Sequence, residues 1–125
     1  MYKAAKAIIR YEDSFFLQLR DNNNSIPYPN KWAFFGGRLF VGEDPKIGLL
    51  REIKEELSYS LKELKEFYNW YNAETYTHVI FFLVELSRKI SFKNINEGQS
   101  GKWFDRKSLD LIPIGPDVNA VKDLL

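Results

Sequence analysis

The stretch Gly36 to Tyr59, GGRLFVGEDPKIGLLREIKEELSY, restricts what this chain can become more than any other. Asp44 and Pro45 make a helix start, an oxygen-bearing cap followed by proline at the first helical position. The spacing therefore predicts a helix over Pro45–Leu57. Wound at about 100° per residue, it gathers Ile47, Leu50, Ile53 and Leu57 into one stripe and sets Glu52, Glu55 and Glu56 together on roughly the opposite side. One face is expected to be core and the other acid. Two carboxylates about 5 Å apart repel by about 3 kcal/mol at an effective dielectric of about 20, and Glu43 enlarges the group. A cation accounts for such crowding. Ligands that are all oxygen, without His or Cys, point to a hard ion, Mg2+ or Mn2+, and Mg2+ usually arrives with substrate phosphates. Alone, an acidic helix face is also what a solvated helix shows, so the rest of the stretch decides.

Gly37, Glu43, Arg51, Glu52, Ile53, Glu55, Glu56 and Tyr59 match, at every interval, the Nudix box G-x5-E-x7-R-E-U-x-E-E-x-G-U. The chain resembles a Nudix hydrolase. The departure is Ser58, where the pattern has glycine; that position follows the helix and calls for a left-handed backbone, at a cost on the order of 1 kcal/mol for other residues. It bears on the helix end and not on the chemistry. Phe35 is a milder departure, since many members carry proline before the double glycine. The resemblance implies an α/β fold of the Nudix type, an α/β/α sandwich with a mixed β-sheet. It implies hydrolysis of a phosphoanhydride in a nucleoside diphosphate linked to another group. The Gly37 carbonyl, Glu52, Glu55 and Glu56 are the implied metal ligands, with Glu43 reaching the metal or bracing the loop. Arg51 is implied to orient Glu52, and either Glu52 or Glu97 to accept the proton of the attacking water.

A length of 125 residues fits one domain, 1–125, with a single core. Lys and Arg total 18 against 17 Asp and Glu, so a formal charge of +1 gives no reason to expect a nucleic-acid or membrane surface. A small polyanion needs only local positive charge. The absence of cysteine removes disulfides, thiolate zinc sites and thiol nucleophiles, and argues against the isopentenyl diphosphate isomerases, which share the Nudix fold but use a cysteine. No P-loop or Rossmann glycine signature is present. Lys3 and Lys6 interrupt an N-terminal apolar run too short for a signal peptide, and no segment reaches about 18 uncharged apolar residues. The expected location is the cytoplasm; a homodimer is left open.

Along the chain, Lys3–Tyr11 and Ser14–Arg20 read as a hairpin turning at Glu12-Asp13. Asp21–Asn30, DNNNSIPYPN, reads as a long loop, and long ordered loops tend to be functional. Tyr28 and Trp32 at its end are candidates for stacking on a base. Trp32–Phe35 is a short strand delivering Gly36-Gly37, and Val79–Val84 is a strand buried on both faces. His78, the only histidine, is read as structural. Lys107–Leu111 is a helical turn and Pro116–Leu125 a helix with Val118, Val121, Leu124 and Leu125 inward. Asp117 near its start is read first as a capping carboxylate and second, by resemblance, as a base contact. By resemblance to MutT-type enzymes, Arg20 faces the nucleotide, Arg38 contacts phosphate, and the segment Ile95–Asp105 is a loop carrying Glu97. These features favour a nucleoside triphosphate pyrophosphohydrolase. Nucleotide sugars, ADP-ribose and dinucleoside polyphosphates are alternative substrates, and a non-catalytic nucleotide sensor is the alternative from another class.

Overall fold

The computed structural model describes residues 1–92, 95 and 98–125. Glu97, the late glutamate singled out above, lies outside the described residues. Among those described, seven strands make one sheet: β1 (Tyr2–Tyr11), β2 (Ser14–Leu19), β3 (Trp32–Ala33), β4 (Phe35–Arg38), β5 (Lys65–Asn72), β6 (Thr77–Glu85) and β7 (Ser100–Asp105). Helix α1 (Pro45–Leu57) follows β4, and α2 (Pro116–Val121) comes near the C-terminus, preceded by a 3-10 turn at Arg106–Asp110 and extended by another at Lys122–Leu124.

Strand β1 carries most of the pairing. Along one edge it runs parallel to β6, from Tyr2 opposite Thr77 to Arg10 opposite Glu85. The other edge is shared, with antiparallel β4 against Ala4–Ala7 and the β2 hairpin against Arg10 and Tyr11. Antiparallel β5 lies outside β6, and β2 also pairs with β3 and β7. Because successive strand residues face opposite ways, Ala5, Ala7, Ile9, Ile80, Phe82 and Val84 turn to one side, where Leu49, Ile53 and Leu57 of α1 pack on them. Ile8, Phe15, Leu17, Val79 and Phe81 turn to the other, under Leu109, Val118 and Val121. A helical layer on each face of a mixed sheet is the expected α/β/α arrangement. No described helix is long and apolar enough to cross a membrane.

Helix α1 has the predicted ends, with the Asp44 carboxylate accepting from the Ile47 N–H at 3.1 Å. Its buried stripe differs from the expected one. Leu49, Ile53 and Leu57 are buried together with Gly48 and Glu56, whereas Ile47 and Leu50 are exposed. At Gly48 the helix lies close on the loop before it, where a Cβ would lie 2.4 Å from Leu39 Cδ2 and 2.8 Å from Glu43 Oε1. The buried flank includes Glu56 of the acidic side, which reaches the sheet at Gly36. At the other end Ser58 adopts φ 52°, ψ 36° and donates its N–H to Lys54 O at 3.0 Å. Ser58→Gly is therefore expected to stabilise the fold by about 1 kcal/mol, read as a higher denaturation midpoint with an unchanged slope.

Two further expectations are corrected. The segment 95–105 is not all loop, because Ser100–Asp105 forms β7 and pairs with β2 from Ser14 opposite Asp105 to Leu19 opposite Ser100. Leu124 is exposed, since the final turn tightens from α to 3-10 geometry and rotates it out of the stripe that buries Val118 and Val121.

Candidate active site

Strand β4 brings Gly36 and Gly37 flush against β1. Gly36 has φ 135°, and a Cβ there would lie 2.2 Å from Ala5 O, so only glycine allows this approach. The Gly36 N–H donates to Glu56 Oε1 at 3.2 Å, and Glu56 is buried. Glu52 stands against the next residue, its carboxylate 3.0 to 3.2 Å from where a Gly37 Cβ would be. Helix α1 thus delivers Glu52 and Glu56 to the glycine pair.

Arg51 binds the remaining acids. Its Nε and Nη2 each donate at 3.0 Å to the two oxygens of Glu43, and its Nη1 donates to Glu52 Oε1 at 3.1 Å and to Glu55 Oε1 at 3.4 Å. The forked geometry is the one guanidinium groups use on carboxylates, and the Phe40 ring lies under the cation with its centroid 4.1 Å from Cζ. Hydrogen bonds from Arg51 and from the Phe40 N–H hold the Glu43 carboxyl below its usual range. The same bond to Glu43 raises the Arg51 pKa further above its already high value. As donors the carboxylates suit a hard divalent ion, since all are oxygen, and the missing Gly37 side chain lets the Glu52 carboxylate come against the backbone. Among the described residues, no three carboxylates gather closely enough to hold one ion.

On the far side of the glycine pair lies a cavity of about 440 Å³. Gly36, Gly37 and Arg38 form one end and Gly115, Pro116 and Asp117 another; Arg20, Pro27, Tyr28, Trp70, Asn72 and Lys6 line the space between. Arg20 Nε donates to Pro27 O at 2.9 Å, and the Tyr28 hydroxyl meets Asn72 Nδ2 at 3.1 Å, fixing the 21–30 loop as a wall. The Arg38 guanidinium stacks on Tyr2 at 3.8 Å. Asp117 lies in the first turn of α2, where a carboxylate suits the helix dipole, while Gly115 holds the N-cap position. Its carboxylate accepts from Val118 N at 2.8 Å and, across the fold, from Phe34 N at 3.0 Å. The stacking role expected for Trp32 is not met here: it is absent from the lining, and its ring packs edge-on against Phe104 at 4.6 Å. Trp70, which periodicity on β5 did not single out, lines the cavity instead. His78 Nε2 contacts Asn69 Oδ1 at 2.8 Å between β5 and β6, as suits a structural residue. Gln99 ties the late loop to this wall, its Nε2 donating to Arg20 O at 2.7 Å and to Asn30 Oδ1 at 3.0 Å.

The NUDIX domain family model matches residues 1–123. A MutT of Aliivibrio salmonicida or Vibrio cholerae is similar in structure, with TM-score 0.79 and 21% identity over 98% of this chain and 94% of that one. A MutT protein from Methanosarcina mazei Go1 has TM-score 0.74 at 23% identity, covering 98% and 91%. The NUDIX domain of Shewanella oneidensis NrtR, complexed with ADP ribose, has TM-score 0.76 at 14% identity, covering 98% and 88%. No curated protein sequence matches the chain significantly.

Proposed function

Because the chain belongs to the NUDIX domain family, we propose that it hydrolyses nucleoside triphosphates to monophosphate and pyrophosphate with a divalent ion, Mg2+ or Mn2+. The observation that carries this reading is the position of Gly37, which lines the cavity and also stands against Glu52. In this reading a nucleotide in the cavity reaches the carboxylates by passing its phosphates over Gly37. A volume of about 440 Å³, toward the small end of ligand sites, suits one nucleoside with phosphates leading outward. Arg20 and Arg38 add positive charge along that path.

Glu52, Glu55, Glu56 and the Gly37 carbonyl are the groups that would hold the ion, which when bound neutralises phosphate oxygens and lowers the pKa of a water. For the acids to close together, Arg51 Nη1 releases Glu52 and Glu55 while the forked bond to Glu43 keeps the guanidinium in place. Arg51 then orients the helix carboxylates as a neighbour and not as a ligand. Either Glu52, against Gly37 and only partly covered, or Glu97, outside the described residues, takes the proton of the attacking water in this reading. Positioning and electrostatics supply most of the rate in phosphoryl transfer, and this site has both.

The test compares kcat/KM for nucleoside triphosphates, nucleotide sugars, ADP-ribose and dinucleoside polyphosphates. Triphosphates are expected to lead by at least about tenfold. A lead for ADP-ribose, the ligand in the Shewanella oneidensis structure, would replace the triphosphate reading; nucleotide binding with no cleavage would make the protein a sensor.

A further inference from the structure

Lys6 is out of place for a lysine. It sits on β1, inside the sheet, with Gly36 opposite it on one side and Phe81 on the other, and it lines the cavity. Its face is that of Ala4, Ile8, Val79 and Phe81, away from α1 and the carboxylates. The ammonium makes one long hydrogen bond, to Phe34 O at 3.4 Å, and forms no ion pair with any described carboxylate. An ammonium has three donors, and a half-buried cation is usually paired. Phe34 O is in addition already taken by Gln18 Nε2 at 3.2 Å. Asp117 binds the other end of the same residue through Phe34 N. The backbone of Phe34 thus carries a pure donor and a pure acceptor, both lining the cavity and not joined to each other.

We propose that Lys6 selects the base, resting on the reading that the cavity takes a nucleotide. The ammonium donates to a carbonyl oxygen of the base while Asp117 accepts the ring N–H beside it. Guanine, uracil and thymine present that pair of groups. Adenine and cytosine present the pair reversed, an amino group beside an unprotonated ring nitrogen, so a base held in the same orientation offers a donor to Lys6 and an acceptor to Asp117. A site built for a hydrogen bond discriminates strongly against a ligand that leaves its buried groups unmatched.

The experiment measures binding of GMP, UMP, AMP and CMP without metal, by calorimetry on the full chain, and measures triphosphate cleavage in parallel. Wild type is expected to bind GMP and UMP at least about tenfold tighter than AMP and CMP, in the range of one matched base contact. Lys6→Met should weaken GMP and UMP by about tenfold and leave AMP and CMP within about twofold. Lys6→Gln, whose amide can donate or accept, should bring all four within about threefold, and it serves if methionine disturbs the packing. Equal wild-type affinities, no binding, or a uniform loss across the four in both variants would overturn the proposal, the last marking Lys6 as a phosphate contact. Base discrimination without cleavage of any triphosphate leaves Lys6 as proposed and removes the hydrolase reading. Cleavage without discrimination does the reverse.

Discussion

Glu56→Gln is expected to lower turnover about a hundredfold or more while leaving the melting temperature nearly unchanged. The substitution removes the charge, which an ion needs, but keeps an oxygen of the same reach to accept the Gly36 N–H now bound at 3.2 Å. Outer contacts around a metal are typically worth about 10- to 100-fold in affinity or activity, and a direct ligand at least as much. Steady-state rates and thermal melts on the same preparation check both halves. Turnover within about threefold of wild type would remove Glu56 from the chemistry; a collapsed melt would make it structural.

Phe35→Ala is expected to cost about 3–5 kcal/mol, the range for deleting a buried aromatic side chain, and to lower the melting temperature by on the order of 10–20 °C. Phe35 is fully buried, and its ring stacks on Phe16 at 5.4 Å with 7° between planes. It also opens β4, directly before the glycine pair. Loss of the ring should therefore loosen Gly36 and Gly37 and reduce turnover in the population that remains folded. Denaturant unfolding gives the stability, and a loss below about 1.5 kcal/mol would show that the side chain does not anchor this strand.

Much of this is local and could be read from sequence. Asp44-Pro45 marks the helix start through cap chemistry that acts within four residues, and the box intervals place Arg51 one turn before Glu55. What sequence left open depends on contact across the fold. A helical wheel gathers Ile47, Leu50, Ile53 and Leu57, but the flank that meets the sheet carries Leu49, Ile53 and Leu57 together with Gly48 and Glu56. A glycine inside an otherwise good helix was the available signal. Lys6 reads in sequence only as a break in an apolar run; its place inside the sheet comes from parallel pairing with β6, more than seventy residues away. Trp70 and Asn72 reach the cavity for the same reason, through the partner strand β5. The β7 segment is short and begins with Ser100-Gly101, so its alternation was masked by turn residues that here serve the close packing of Gly101 on Phe16.

The site as a whole rests on one claim: the carboxylates that Arg51 and Gly36 hold in this structure serve a metal ion beside a nucleotide's phosphates. Pyrophosphate release from a nucleoside triphosphate, measured with Mg2+ and again after chelation, tests it most directly. Steady release with Mg2+ is expected, and at least about a hundredfold less without it. Release that survives chelation unchanged, or triphosphate that stays intact at every Mg2+ concentration while still bound, would contradict it.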